Sequence, residues 1–193
     1  MPARIGVLAL QGNFDAHARA VARAGAEAVE VRTAVELAGV DGLIIPGGES
    51  STMLKLMNDN ALTEPLRAYG QQKPIFGTCA GAILLAIEVT NPVQESLGLM
   101  DMTVQRNAYG RQLDSRIVTI PSESADIHPE IEAVFIRAPI IRRTGPRVQV
   151  LASYEGDPVL VSEGRHLVAT FHPELTTSSS IHELFVKRVE GRR

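Results

Sequence analysis

The sequence predicts an α/β protein with a mixed, mostly parallel central sheet flanked by helices and extra antiparallel strands in its C-terminal half. Three observations carry this. Short apolar runs alternate with helical patches through about residue 90, the grammar of βαβ units. From about residue 100 the chain becomes a series of short β-rich runs separated by turn residues, with little helix between them. The only cysteine lies at a strand-to-helix junction of the form Gly-x-Cys-x-Gly, residues Gly77 to Gly81.

The elements follow in chain order. "RIGVLAL" (Arg4–Leu10) is short, apolar and bounded by Gly12-Asn13, which reads as a buried strand. "FDAHARAVARAGA" places Phe14, Ala18, Val21 and Ala22 at helical spacing, with Gly25 as a stop. "AVEVR" is a second strand, and "GLIIPGG" (Gly42–Gly48) is a third that ends in a Pro-Gly-Gly turn. Two helical patches follow, "STMLKLMNDN" and "LTEPLRAYG", the first with Ser50, Ser51 or Thr52 available as its cap. "PIFGTC" is then a strand and "AGAILLAIEV" a helix. "MTVQRNA", "RIVTI", "AVFIRAPII", "VQVLASYEG", "PVLVSEG" and "LVATF" are the later strands. "SSSIHELFVKRVEG" closes the chain as an amphipathic helix with Ile181, Leu184, Phe185 and Val189 on its apolar face. No linker, repeat or low-complexity stretch interrupts this order, so residues 1–193 are expected to form a single domain.

Composition narrows the function classes. A chain of 193 residues, 45% hydrophobic and 21% charged, can build a sufficient core without disulfides or metal. Its single cysteine fits a reducing, cytoplasmic setting. A net charge of −3 and the lack of a basic stripe argue against nucleic-acid binding. Apolar runs such as "GVLAL" and "AILLAI" fall far short of the ~20 residues of a membrane span. No Walker ending or G-x-G-x-x-G pattern occurs, and no Cys/His/carboxylate group has metal-ligand spacing, so neither a cofactor nor a metal is expected.

The chemistry concentrates in four places. In "GTCAG" the flanking glycines would let strand and helix meet around a strained Cys79, whose sulfur would face the helix N-terminus. By itself that pentapeptide also suits a small buried hydrophobe. His172 follows the last strand and precedes Pro173-Glu174, so Glu174 could hold its imidazole in a Cys-His-Glu arrangement. His17, His182 and His128 read as solvated surface residues, and His166 has no acidic neighbour of evident use. "PGGESS" ends the third strand and could aim glycine amides at an oxyanion. Arg106 and Arg137 sit in strand contexts, where a cation could either be plain surface or meet a substrate carboxylate.

"GTCAG", "PGGES" and "FHPEL", in this order, resemble the class I glutamine amidotransferases. "LALQG", "RNAYGRQ" and "FIRAP" narrow the resemblance to the glutaminase subunits of the pyridoxal 5′-phosphate synthase complex, over Ile5 to about Val189. The resemblance implies a flavodoxin-like glutaminase domain in which Cys79 attacks the glutamine amide, His172 moves protons and Glu174 orients His172. It implies that Gly48, Glu49, Ser50, Arg106, Ile136 and Arg137 hold glutamine. Gly47 and Gly48 then form the oxyanion-side turn, with Ala80 beside it, and Gln11 lies between the site and a partner interface. The implied partner is a (β/α)₈-barrel synthase in a large hetero-oligomer, and pyridoxal 5′-phosphate would be the complex's product. Three other readings stay open: an amidotransferase serving another acceptor, a cysteine hydrolase on a related sheet, and a scaffold with a vestigial site.

Overall fold

The computed structural model describes residues 2–107 and 115–191. "YGRQ" and the last residue of "RNA", quoted above, lie outside the described residues. The first half runs β1 (Arg4–Leu8), α1 (Phe14–Arg23), β2 (Glu27–Val31), α2 (Ala34–Ala38), β3 (Gly42–Ile45), α3 (Ser50–Asp59), α4 (Thr63–Gln72), β4 (Ile75–Thr78) and α5 (Ala80–Leu85). Seven strands follow: β5 (Ala86–Thr90), β6 (Met100–Gln105), β7 (Ser115–Pro121), β8 (Glu130–Ile136), β9 (Ile140–Thr144), β10 (Gln149–Tyr154) and β11 (Asp157–Glu163). β12 (His166–Ala169), a 3₁₀ turn (Pro173–Leu175) and α6 (Ser180–Val189) complete it.

The main sheet has seven strands in the order β10-β11-β12-β4-β3-β1-β2. β2, β1, β3, β4 and β12 pair in parallel, while β11 and β10 add antiparallel strands at the β12 edge. β5, β6 and β9 form a second sheet, and β7 and β8 a two-stranded ribbon.

Strand alternation divides the apolar side chains between two cores. Leu8, Leu43, Ile45 and Ile75 point to the face covered by Met53, Met57, Leu66 and Leu84. Ile5, Val7, Ile44 and Phe76 point to the opposite face, against Val21, Leu184, Phe185 and Phe135. Both faces of the parallel strands are therefore covered, which explains why "LII" and "PIF" read as unbroken apolar runs rather than alternating ones.

Three expectations change. The helix read over "AGAILLAIEV" stops at Leu85, and Ala86–Thr90 is β5, paired in parallel with β6. Strand pairing wins there because Glu88 accepts a hydrogen bond from the Thr103 hydroxyl at 2.6 Å and Ser96 Oγ donates to the Ala86 carbonyl. "AVFIRAPII" is two strands in two sheets, broken where Arg137 takes φ 44° two residues before Pro139. A short helix, α2, escaped the sequence reading although Thr33 and Glu36 close a reciprocal capping box on it.

Candidate active site

Four adjacent strands of the main sheet, β12, β4, β3 and β1, deliver His172, Cys79, the Gly47-Gly48 turn and the Gln11-Gly12 turn from their carboxyl ends. The strand connections reverse direction beside β1, and the crevice beyond the carboxyl ends at such a switch is where open α/β sheets bind ligands. A cleft of about 270 Å³ opens there. Gly47, Gly48, Glu49, Ser50, Cys79, Arg106, Ile136, Arg137 and His172 all line it. Glu174, Ala80 and Gln11 do not.

Cys79 takes φ 48° and ψ −101° as the residue before α5. A non-glycine residue at such an angle costs on the order of 1–3 kcal/mol and persists only when its surroundings fix it. Gly77 and Gly81 allow that conformation: a Cβ on Gly77 would lie 2.5 Å from the Gly81 carbonyl oxygen, and one on Gly81 would collide with the Ile45 carbonyl. The Cys79 amide donates to the Ala169 carbonyl at 2.9 Å, fixing the elbow to β12. Ala80 is buried in the first turn of α5, where backbone amides have no intrahelical acceptor.

The His172 amide donates to the Val134 carbonyl at 2.8 Å, and its Nδ1 lies 2.7 Å from Glu174 Oε1. Pro173 opens the 3₁₀ turn that brings Glu174 back under the imidazole. Burial opposes a charge on His172, but hydrogen bonds with the Cys79 thiol and with Glu174 outweigh it and push the imidazole up to about 10. Burial likewise works against the Glu174 carboxylate, and the hydrogen bond with His172, together with the His172 charge, holds its carboxyl below the usual range. Gly47 packs directly on this pair, since a Cβ there would sit 2.5 Å from His172 Cε1 and 3.3 Å from Cys79 Cβ.

The cleft mouth carries charge of both signs. Glu49 is the cap of α3, correcting the expectation of a serine or threonine cap. It accepts from the Thr52 amide at 2.7 Å, the Ser51 hydroxyl at 2.6 Å and the Thr52 hydroxyl at 2.8 Å. Burial pushes its carboxyl up, but the hydrogen bonds from Ser51 and Thr52 together outweigh it and bring it down to about 2. Arg106 and Arg137 sit just beyond the ends of β6 and β8 rather than within strands. Ser50 is buried and its hydroxyl proton is committed to Gln94 Oε1 at 3.0 Å. Gln11 lies against the turn: a Cβ on Gly48 would meet its Cδ and Oε1 at 3.3 Å.

Gly12, Asn13, Ile83, Asn107 and Pro139 also line the cleft and were missed. Gly12-Asn13 follows the first strand, so its position at a carboxyl end was the available signal. The remaining histidines divide differently from the sequence reading. His17 and His182 are fully buried rather than solvated, with His17 Nδ1 3.0 Å from His182 Nε2. His128 is exposed, and His166 is buried at the far end of β12, where its Nδ1 accepts from the Ile75 amide. Among the described residues no cluster of three or more His, Cys, Asp or Glu could hold a metal ion, and no helix is long and apolar enough to cross a membrane.

The model of the SNO glutamine amidotransferase family matches residues 7–191. A pyridoxal 5′-phosphate synthase subunit PdxT from Solibacter usitatus (strain Ellin6076) is 56% identical over 190 residues, covering 96% of this chain and 99% of that protein. One of the same description from Shouchella clausii (strain KSM-K16) is 46% identical, covering 98% of this chain and 96% of that protein. The crystal structure of a glutamine amidotransferase superposes with a TM-score of 0.89 at 43% identity, over 96% of this chain and 98% of that one. At 13% identity, the crystal structure of a glutamine amidotransferase from Thermotoga maritima shares the fold, with a TM-score of 0.61 over 99% of this chain and 85% of its own. With the family model spanning nearly the whole chain and relatives about half identical to it end to end, the chain belongs to the SNO glutamine amidotransferase family.

Proposed function

We propose that this chain is a glutaminase that hydrolyses L-glutamine to L-glutamate and ammonia, with Cys79, His172 and Glu174 as its triad. The observation that carries the proposal is the strained Cys79 facing a His172 whose other ring nitrogen is 2.7 Å from Glu174. The Cys79 sulfur, as thiolate, attacks the side-chain carbonyl carbon of glutamine, and protonated His172 donates to the departing nitrogen. Ammonia leaves and a γ-glutamyl thioester remains. Water then attacks that carbonyl while His172 takes its proton, the carbon–sulfur bond breaks, and glutamate leaves as the Cys79 thiolate and protonated His172 are restored. Glu174 holds the imidazole with Nδ1–H toward Oε1 and Nε2 toward the sulfur.

Backbone amides of the Gly47-Gly48 turn and of Ala80 are the groups assigned to the oxyanion, a contribution of ~10²–10³ in rate for each donor. Glu49 suits the α-ammonium of an amino acid and Arg106 or Arg137 its α-carboxylate, while Ser50 and Ile136 shape the walls. Gln11, beside Gly48 but outside the cleft lining, is assigned to the boundary between this site and a partner. Residues 1–193 act as one glutaminase domain in the cytoplasm.

The partner follows from the relatives' description as pyridoxal 5′-phosphate synthase subunits. We assign the ammonia to a synthase subunit with a (β/α)₈-barrel fold, joined to this chain in a hetero-oligomer, with pyridoxal 5′-phosphate as product. Glutamine hydrolysis by wild type and Cys79→Ala, each with and without the co-expressed synthase, tests both parts. Wild type with synthase should release glutamate and ammonia, and Cys79→Ala should release neither. Full activity in Cys79→Ala would sink the triad assignment.

A further inference from the structure

Behind the triad lies a second set of buried polar groups that the reaction above does not use. His17 on α1 points its Nε2 toward two oxygens, Thr78 Oγ1 at 3.1 Å and Glu174 Oε2 at 3.4 Å. Its Nδ1 lies 3.0 Å from Nε2 of His182 on α6. All four side chains are buried, and the ring of Phe76 closes the space beside both histidines. Among the described residues, the fully buried carboxylate oxygen Glu174 Oε2 meets no hydrogen bond of normal geometry; His17 Nε2 is the nitrogen that faces it. An unpaired buried charge of this kind is costly, so what His17 presents to it matters.

Both histidines are neutral. Burial lowers His17 to about 4, with the Glu174 charge opposing and that of His172 assisting. Burial lowers His182 as well, with His17 and Arg23 adding to the effect. Each ring therefore carries one N–H, and only two arrangements satisfy the His17–His182 contact. If His17 donates from Nδ1, its bare Nε2 lone pair faces the Glu174 carboxylate, and the orphan His182 Nδ1 must carry a buried, unpaired N–H. If His182 donates from Nε2, His17 carries its hydrogen on Nε2 and directs it at Thr78 Oγ1 and Glu174 Oε2. The orphan His182 Nδ1 is then a bare acceptor, the more tolerable of the two defects.

Resting on the triad reading above, we infer that His17 is a positioning residue: held as its Nε2–H tautomer by His182, it supports Oε2 of Glu174 and so keeps Oε1 on His172. The chain of contacts runs from His182 through His17 and Glu174 to His172 and the Cys79 sulfur. It links α6 and α1, at the back of the sheet, to the cleft at its carboxyl edge.

Two measurements on the full-length chain test this. Nitrogen-15 correlation of the wild-type imidazoles at pH 7.5 should show His17 protonated on Nε2 and bare on Nδ1; the opposite tautomer overturns the inference without any variant. Glutamine hydrolysis, with the synthase subunit present, should then separate support from mere packing. His17→Leu fills similar space without a donor, and its kcat should fall about 30-fold with KM within about twofold. His17→Gln can place an amide N–H near the Nε2 position and should recover to within about threefold of wild type. Equal losses in the two variants, or wild-type kcat in His17→Leu, overturn the inference. Cys79→Ala is the control that keeps the two readings apart: if it is inactive while His17→Leu is fully active, the triad stands and only the role of His17 fails.

Discussion

Arg106 donates to Glu49 Oε1 at 3.0 Å across the mouth of the cleft, tying the end of β6 to the turn before α3. The Glu49 side chain is half exposed, so the pair itself adds at most about 1 kcal/mol to stability. The same carboxylate nonetheless caps α3 and supplies the acidic group at the cleft mouth. Glu49→Gln is therefore expected to cost about 1 kcal/mol of folding stability through the weaker cap. Its KM for glutamine should rise roughly tenfold, about the loss of one charge-assisted hydrogen bond, with a smaller change in kcat. Steady-state kinetics together with urea unfolding would separate these effects.

Gly47→Ala attacks the same site by a different route. The new Cβ would sit 2.5 Å from Cε1 of His172, a ring whose Nδ1 is held by Glu174. The imidazole must shift by several tenths of an ångström relative to Cys79, and such misplacement costs up to ~10² in rate. The expected outcome is a kcat reduced by about that factor, with cooperative unfolding retained. A kcat within twofold of wild type would show that the turn does not constrain His172.

The buried histidines give the protein a stability maximum near neutral pH. His17 binds its proton near pH 6.5 when unfolded and only near 4 when folded, with burial as the main cause. Between those values the unfolded chain holds more protons, so stability falls as pH is lowered from about 6.5 toward 4 and is fully present above 6.5. His182 acts in the same sense. His172 acts in the opposite sense, because its folded value is raised to about 10. Its contribution is complete below about pH 6.5 and is lost as pH rises toward 10. Urea unfolding from pH 4.5 to 9.5 should trace both limbs, each with a slope of at most about 1.4 kcal/mol per pH unit per histidine. His172→Gln should flatten the alkaline limb and leave the acid limb in place.

The histidines also mark where sequence reasoning stops. Cys79 was legible because glycines two residues to either side serve a local geometric need, and His172 because Pro173 and Glu174 follow it directly. His17 and His182 are 165 positions apart, and each looks like a polar residue on an amphipathic helix until the helices pack across one end of β4. The break between α5 and β5 was hidden for a related reason. "AILLAIEV" is apolar at nearly every position, so periodicity cannot choose between helix and strand, and the partner that decides, β6, begins at Met100. By contrast, the Thr33–Glu36 capping box of α2 was present in the sequence as T-x-x-E and was simply missed.

Gly81→Ala tests whether the elbow depends on close approach or on backbone freedom. Gly81 lies inside α5, so an alanine there meets no conformational penalty and would ordinarily stabilise a helix by about 1 kcal/mol. The added Cβ would instead collide with the Ile45 carbonyl at the end of β3, a backbone atom that cannot rotate aside. Separating α5 from the sheet would also shift Cys79. Overpacking of this kind costs about 1–3 kcal/mol. Gly25→Ala is the complementary control: Gly25 has φ 82°, but among the described residues no atom outside its immediate chain neighbours lies within 4 Å of an added Cβ, so its cost is purely conformational, about 1–2 kcal/mol. The two variants should lose comparable stability by urea unfolding, yet only Gly81→Ala should lose glutaminase activity, by at least about tenfold. If Gly81→Ala kept full activity, contact between α5 and β3 would not be what holds Cys79 in place.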